Sequence, residues 1–164
     1  MKVILDTNIY GRIAEKKEIE MIEELVKSNK NIVIYGNRVI RNELRRVPKE
    51  IHILTAGKQK NMRIYLLTLY DDLAKKDIEI TDRIREISKA YLDVYKEIGG
   101  KHSERELLED FMIVASASVK GVDLVTSEDK KTMLSSLAIK SYNVANKLNN
   151  LRTPNFISYE KFKE

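Results

Sequence analysis

Carboxylates stand at four places in the sequence where they could do chemistry. The first is Asp6, which ends the short run Lys2–Leu5 and is followed by Thr7 and Asn8. A short apolar run closed by polar residues predicts a buried parallel strand, and ligands bind beyond the carboxyl ends of such strands. Asp6 is therefore predicted to lie at a functional edge of a sheet, although it or Thr7 could instead only cap the next helix.

Two further carboxylates lie within predicted helices. Glu43 borders the apolar face of a helix that is predicted to begin after the capping residue Asn37. A carboxylate in this position is energetically costly unless a neighbouring arginine or another group pairs with it. Asp110 lies in the middle of a nearly all-apolar helix, which begins at the capping box Ser103–Glu106. A charge among so many apolar neighbours is the most anomalous placement in the chain, and it indicates a function.

The fourth place is the pair Glu128 and Asp129, which follows the predicted strand Val122–Thr126. Carboxylates that converge at one sheet edge repel one another, so they need a cation to stay ionised together. An all-oxygen ligand set suits Mg²⁺ or Mn²⁺, and two such ions can activate water and stabilise the leaving oxygen of a phosphodiester. Other chemistries lack their residues, because there is no Cys, no Walker loop, and no partner pattern for His52 or His102.

The elements that must position these groups alternate along the chain. Hydrophobic patterns predict strands at 2–5, 32–35, 122–126 and 141–144, and helices over 9–28, 38–47, 59–75, 84–98 and 103–121. This order predicts an α/β fold class with a central parallel sheet. The segment 51–102 is the least regular part and is predicted to be a helical insert laid on that core. With 164 residues, the chain is predicted to form a single domain over 1–164.

Charge and composition narrow the classes of function. The net charge of +5 and the pI of about 9.2 favour polyanionic partners, although a surface rich in Lys and Glu is also typical of proteins from hot environments. No apolar stretch approaches the ~20 residues that a membrane span needs. The beginning of the chain does not resemble a signal peptide, so a cytoplasmic location without membrane contact is expected.

Four short segments resemble, in order, the acidic motifs of the PIN-domain nucleases. They are Leu5–Ile9, Val39–Leu44, Glu109–Ala115 and Leu124–Asp129. Thr153–Phe156 is also similar to the closing strand of archaeal members. The resemblance implies a Rossmann-like three-layer α/β/α ribonuclease, which cleaves RNA with Mg²⁺ or Mn²⁺.

The resemblance also implies roles for the site residues. Three residues would be metal ligands and catalytic groups: Asp6, Glu43 and Asp110. The fourth motif usually has Asp or Asn two residues after its Thr or Ser. Here Glu128 holds that position and Asp129 follows it, and the shorter side chain of Asp129 favours it as the fourth ligand. Asn8 and Thr126 would hold carboxylates or water by hydrogen bonds, and the capping role would fall to Thr7 or Asn8.

The resemblance leaves the biological role of the ribonuclease open, and two other functions are considered beside it: a non-catalytic binding module and a phosphatase. Many small members of the family are toxins of toxin–antitoxin pairs that dimerise, so an antitoxin protein and a homodimer are implied partners, although the insert makes this chain longer than the typical toxin. A non-catalytic RNA-binding or protein-interaction module on the same fold is the alternative, because the fourth motif is irregular. A phosphatase with Asp6 as nucleophile would want a second Asp at position 8, where Asn8 stands.

Overall fold

The structure, a computed structural model, describes residues 1–164 and contains seven strands and eight helices. The strands are β1 (Lys2–Leu5), β2 (Val33–Asn37), β3 (His52–Thr55), β4 (Lys58–Asn61), β5 (Lys76–Ile78), β6 (Leu124–Thr126) and β7 (Asn155–Ile157). The helices are α1 (Thr7–Lys16), α2 (Ile19–Ser28), α3 (Arg38–Arg45), α4 (Met62–Leu73), α5 (Asp82–Glu97), α6 (Glu104–Lys120), α7 (Ser136–Leu148) and α8 (Tyr159–Lys163).

Five strands form one parallel sheet in the order β5-β2-β1-β6-β7, and β3 and β4 form a separate antiparallel hairpin. The register places Leu5 of β1 beside Thr126 of β6. The predicted α/β class with a central parallel sheet is confirmed. From β1 the chain builds the sheet toward β5 and later returns to build it toward β7. The point of reversal lies between β1 and β6, where the ligand crevice of such a sheet opens.

Crossover connections between parallel strands are right-handed. Because the sheet grows first toward β5 and then toward β7, the helices of the first half cover one face and those of the second half cover the other. Helices α1 to α4 contact one another, and α5 packs on α6 and α7. The core of the sheet is fully buried and aliphatic, with Val3, Ile4, Ile34 and Val125 among its members. This interior fixes the carboxyl ends of β1 and β6 side by side.

The tyrosines of the helices belong to the core. Tyr91, Phe111 and Tyr142 form edge-to-face contacts, with centroid separations of 4.9 to 6.1 Å. Tyr70 of α4 donates a hydrogen bond to the backbone oxygen of Asn37, over a distance of 3.1 Å. Its hydroxyl lies so close to Gly36 that a Cβ there would come within 1.9 Å of it, which explains a glycine in the middle of β2.

Two of the predicted elements are wrong, and a third, the predicted helix 59–75, begins only at Met62 because residues 58–61 form β4. The predicted helix 9–28 is two helices, because Lys17 adopts a left-handed backbone conformation with φ of 58° and ends α1. The predicted strand 141–144 lies inside α7, which begins where the Ser135 hydroxyl accepts a hydrogen bond from the amide of Ala138. In α7, Ala138, Tyr142 and Ala145 are buried at helical spacing.

The segment 51–102 differs from a helical insert laid on the core. It contains α4 and α5, but also the hairpin β3–β4 and the strand β5. Strand β5 pairs with β2 and completes one edge of the central sheet, with Ile78 beside Asn37. One strand of the segment is therefore part of the central sheet, whereas the hairpin β3–β4 forms a separate sheet.

None of the helices has the length and apolar character required to cross a membrane.

Candidate active site

Asp6 lies at the junction of β1 and α1 and is 4% exposed. Its Oδ1 atom accepts a hydrogen bond from the amide of Thr7 at 2.7 Å. Its Oδ2 atom accepts from Asn8 Nδ2 at 2.5 Å and from Ser127 Oγ at 2.7 Å. Asp6 is itself the N-cap of α1, so the expectation that Thr7 or Asn8 takes this role is wrong. The same carboxylate thus caps a helix and faces the turn after β6.

Glu43 projects from α3 toward the start of α1. Its Oε2 atom accepts a hydrogen bond from Thr7 Oγ1 at 2.6 Å. No arginine forms an ion pair with it, because Arg41 pairs with Asp71, and Arg46 Nη2 lies 2.5 Å from Glu109 Oε2. The charge of Arg46 nevertheless acts to lower the pKa of Glu43. The placement of Glu43 beside the apolar face of α3 is therefore not explained by an ion pair.

Asp110 and Asp129 share one hydroxyl group. Thr132 Oγ1 contacts Asp110 Oδ2 and lies 2.5 Å from Asp129 Oδ2. Asp129 Oδ1 accepts backbone hydrogen bonds from Lys131 and Thr132, over 2.8 and 2.9 Å. The middle of α6 and the turn after β6 therefore bring two carboxylates close together, although the residues are far apart in the sequence.

Glu128 points away from this pair. Its Oε1 atom accepts a hydrogen bond from the amide of Tyr159 at 2.8 Å, so the side chain fastens the start of α8. Its own amide donates to Asn8 Oδ1 at 3.1 Å. The geometry thus separates the two alternatives for the fourth carboxylate, with Asp129 beside Asp110 and Glu128 beside α8.

The supporting residues are only partly those expected from the sequence. Asn8 connects the two strand ends, because it donates to Asp6 and to Ser127 and accepts from Glu128. Thr126 does not act on a carboxylate in this structure, since its Oγ1 atom is buried without a hydrogen-bond partner. The hydroxyls that contact the carboxylates belong to Thr7, Ser127 and Thr132, which the motif comparison did not single out. Thr7 and Ser127 lie inside the first and fourth motifs, and Thr132 follows the fourth by three residues, so their position in the sequence was the available signal.

The protonation behaviour of the carboxyls shows that they interact. Burial raises the pKa of Asp6 to about 6; hydrogen bonds from Ser127 and Thr7 oppose this rise, and Glu43 and Asp129 add to it. Burial also raises the pKa of Asp110 to about 7. The hydrogen bond from Thr132 acts to lower this pKa, and the other three carboxylates act to raise it.

The other two carboxyls move in opposite directions. Burial raises the pKa of Glu43, and the hydrogen bond from Thr7 opposes this effect. Burial also acts to raise the pKa of Asp129, but hydrogen bonds from the Thr132 side chain and from the amides of Thr132 and Lys131 outweigh it, so this pKa is lowered. Simultaneous ionisation of all four carboxyls is therefore unfavourable, because burial and mutual repulsion raise three of their pKa values.

The donor set agrees in its chemistry with a hard divalent cation, because every side-chain donor is an oxygen and the carboxyls are mutually repulsive. In the arrangement of the structure, no three Asp, Glu, His or Cys side chains form a group that could hold a metal ion. Thr132 lies between Asp110 and Asp129 instead, and the hydroxyls of Thr7 and Ser127 each contact one carboxylate, Glu43 and Asp6 respectively. The composition of the site fits a cation, whereas its present spacing is that of a hydrogen-bonded network.

The parallel five-stranded sheet flanked by helices matches PIN-like structures, so the predicted resemblance is confirmed at the level of the fold. One chain of the structure of VapBC2 from Rickettsia felis, bound to a DNA fragment from their promoter, superposes with a TM-score of 0.62 at 13% identity. The match covers 97% of this chain and 99% of that chain.

A chain of the structure of FitAB bound to the IR36 DNA fragment is also similar, with a TM-score of 0.52 at 13% identity. That match covers 95% of this chain and 94% of the other. No protein-family model and no curated protein matches the sequence.

Proposed function

We propose that this protein is a metal-dependent endoribonuclease that hydrolyses RNA phosphodiester bonds at the carboxylates of Asp6, Glu43, Asp110 and Asp129. The observation that carries the proposal is the coupling of these groups at the crevice between β1 and β6. Two of them have pKa values near neutrality because burial and the neighbouring carboxylates disfavour their ionisation. Such a set is ready to exchange protons for a cation.

Mg²⁺ or Mn²⁺ is the proposed cofactor, held by the same four side chains. When bound, a divalent ion of this kind supplies a more acidic water and positive charge for the phosphodiester oxygens. The chain itself contributes the orientation of the ligands. Ser127 and Asn8 fix Asp6, Thr7 fixes Glu43, and Thr132 fixes Asp110 and Asp129.

We also propose that the protein acts as the toxin of a toxin–antitoxin pair. Both similar structures are toxin–antitoxin complexes bound to DNA, which supports an antitoxin protein as a partner of this chain. RNA as the substrate and a homodimer as the assembly remain predictions from the motif resemblance. A non-catalytic RNA-binding module is the competing proposal, and the spacing of the carboxylates favours it.

The test is RNA cleavage by the purified chain with Mn²⁺ or with EDTA. Asp6→Asn is expected to abolish the Mn²⁺-stimulated cleavage, because it removes a charge from the centre of the site while an oxygen remains for the helix cap. Asp110→Asn should do the same from a different element. Asp72→Asn, on the exposed end of α4, is the matched control and should cleave normally. Full cleavage by both site variants would overturn the proposal, and RNA binding without any metal-stimulated turnover by the parent would establish the alternative.

A further inference from the structure

The positive charge of the chain is concentrated in one segment. Residues 38–63 contain eight Lys and Arg against two Asp and Glu, a net charge of +6 in a chain whose total is +5. The remainder of the sequence is close to neutral. An even coating of Lys and Glu, as in adaptation to heat, would not produce this distribution. The basic character therefore belongs to α3, the loop after it, and the hairpin β3–β4.

Most of these cations have no carboxylate partner. Arg41 is paired with Asp71 and Arg46 with Glu109. The six that form no ion pair are Arg38, Arg45, Lys49, Lys58, Lys60 and Arg63. Unpaired cations on one surface retain their attraction for an external polyanion, whereas paired ones are largely neutralised.

Side-chain hydrogen bonds from the end of the hairpin and the start of α4 fix this region to the loop that follows α3. Asn61 Nδ2 donates to the oxygen of Lys49 at 2.6 Å, and Arg63 Nε donates to the oxygen of Val47 at 2.6 Å. At its tip, Ala56 and Gly57 both have positive φ, as the two-residue turn of a twisted hairpin requires. Four residues per strand extend it by roughly 13 Å. The cations of the hairpin are thus held in a defined position relative to α3.

This surface is continuous with the candidate active site. Helix α3 carries Glu43, and Arg46 at the end of this helix interacts with the charge of Glu43 while it pairs with Glu109. Arg45 lies on another side of the helix and donates to Asn42. Lys49 lies in the loop that leads into the hairpin, and Lys58 and Lys60 lie on its second strand. The cations therefore form a series that begins on the helix that carries Glu43 and continues through the following loop into the hairpin.

We propose that α3 and the hairpin β3–β4 form a track for the phosphate backbone of the RNA strand that enters the active site. The inference rests on the proposed function for the nature of the polyanion. Each cation that neutralises a phosphate releases condensed counterions, which supplies affinity without reading the base sequence. The track would hold the RNA beside the scissile bond and would favour long substrates over short ones.

An anionic protein is the competing occupant of this surface. Ile51 and Leu54 of this segment are 47% and 57% exposed, and Ile64 of α4 directly after it is 65% exposed. Exposed apolar side chains are typical of protein interfaces. The backbone of RNA is favoured because the series of cations starts at the helix that carries Glu43. The two occupants make different predictions for the affinity of the isolated chain for RNA.

The first experiment measures RNA binding without cleavage. In an Asp6→Asn background with EDTA, the triple variant Lys49→Gln, Lys58→Gln and Lys60→Gln is titrated against a labelled single-stranded RNA by fluorescence anisotropy. Three lost phosphate contacts should weaken binding by roughly tenfold or more at ~0.1 M salt and flatten the slope of log K against log salt by about 2. Thermal unfolding of each variant confirms that it is folded.

The matched control removes the same charge from the opposite end of the sheet. Lys30, Lys120 and Lys147 are exposed and without ion pairs, and each is changed to Gln in the same background. This control should bind RNA like the parent. Unchanged affinity of the hairpin triple, or an equal loss in both triples, would overturn the track and leave the segment as a protein-docking surface or as a source of net charge only.

A second readout separates this proposal from the ribonuclease proposal. In the active background, the hairpin triple should lower kcat/KM for a long RNA but not for a dinucleotide, which is too short to reach the hairpin. If the parent does not cleave RNA but the hairpin triple still loses binding, the track stands and the ribonuclease fails. If the parent cleaves and the triple binds and cleaves normally, the track alone is wrong.

Discussion

Three hydroxyl groups, those of Thr7, Ser127 and Thr132, contact the carboxylates of the candidate site. Each donates to at least one carboxylate and so reduces the cost of burying a negative charge. Since none of them carries a charge, they moderate the repulsion between the acids without abolishing it. The raised pKa of Asp110, at about 7, shows that burial and repulsion still prevail at that residue.

The two acidic residues of the turn after β6 should behave differently when changed. Asp129→Asn removes a charge beside Asp110, and we expect cleavage to fall by about 10²-fold or more, equivalent to about 3 kcal/mol of transition-state stabilisation. Glu128→Gln keeps an oxygen that can accept from the Tyr159 amide, so it should retain cleavage and folding. Single-turnover cleavage and thermal unfolding of both variants measure this difference. A larger loss from Glu128→Gln than from Asp129→Asn would reverse the assignment.

The acidic residues of the site could be predicted from the sequence, because each stands in a short motif beside a strand end or within an apolar helix. The bridging hydroxyls could not, since Thr and Ser are common in turns and their contacts depend on tertiary geometry. Thr132 is an example, because only the fold brings it to Asp110. Thr126 shows the reverse case, in which a motif residue is buried without the expected contact.

At the scale of elements, the junction of α1 and α2 depends on one unusual residue. Lys17 has φ of 58° and ψ of 35°, and its neighbour Glu18 donates its amide to the oxygen of Ile13 at 3.1 Å. This is the bonding pattern of a helix end that favours glycine, because other residues pay about 1 kcal/mol in the left-handed region. The break between the two helices therefore exists despite the side chain at position 17.

Replacing this residue by glycine should stabilise the protein. We expect Lys17→Gly to raise the free energy of unfolding by about 0.5 kcal/mol, since the relief of the left-handed strain exceeds the added entropy of the unfolded chain. Glu15→Gly, at an exposed helical position two residues earlier, is the control and should lower it by about 1 kcal/mol. Urea unfolding of both variants measures the difference. Destabilisation by both would show that the backbone at position 17 is not strained.

The prediction of elements failed where local patterns were ambiguous. Strand β4 has the sequence Lys-Gln-Lys-Asn and contains no apolar residue, so no alternation could reveal the hairpin. The segment 141–144 is short and contains Tyr142 and Val144, which favour strands, but the burial of Ala138, Tyr142 and Ala145 requires a helix. Tertiary packing decided both cases.

At the scale of the whole molecule, the acidic crevice at one edge of the sheet adjoins the segment in which the positive charge is concentrated. The crevice lies where the order of strands reverses, between β1 and β6, and this location follows from the predicted alternation of strands and helices. The positive surface follows from the unequal distribution of charge along the sequence, which could be counted before the fold was known. What required the structure was the adjacency of the two, through α3.

The buried carboxyls of the crevice should make the stability of the whole protein depend on pH. Asp6 and Asp110 have folded-state pKa values of about 6 and about 7, above the ordinary value of 3.8. Between about pH 4 and pH 7 the folded protein therefore binds more protons than the unfolded chain. The contribution of these two groups to the free energy of unfolding is fully present below about pH 4, and this contribution is lost as the pH rises through 6 and 7. Each unit of pKa difference corresponds to about 1.4 kcal/mol.

Urea unfolding in EDTA at several pH values between 4 and 8 measures this effect. The free energy of unfolding of Asp110→Asn should fall less steeply with pH than that of the parent, because the variant has one carboxyl fewer to ionise in the folded state. It should exceed the parent in stability at pH 8 by at least about 1 kcal/mol. Asp72→Asn, which removes an exposed carboxylate, should follow the parent. Mn²⁺ should restore stability to the parent at pH 8 more than to Asp110→Asn, since the cation replaces the proton as the counter-charge. Identical pH profiles for the parent and Asp110→Asn would contradict the raised pKa of Asp110 and, with it, the electrostatic basis of the proposed metal site.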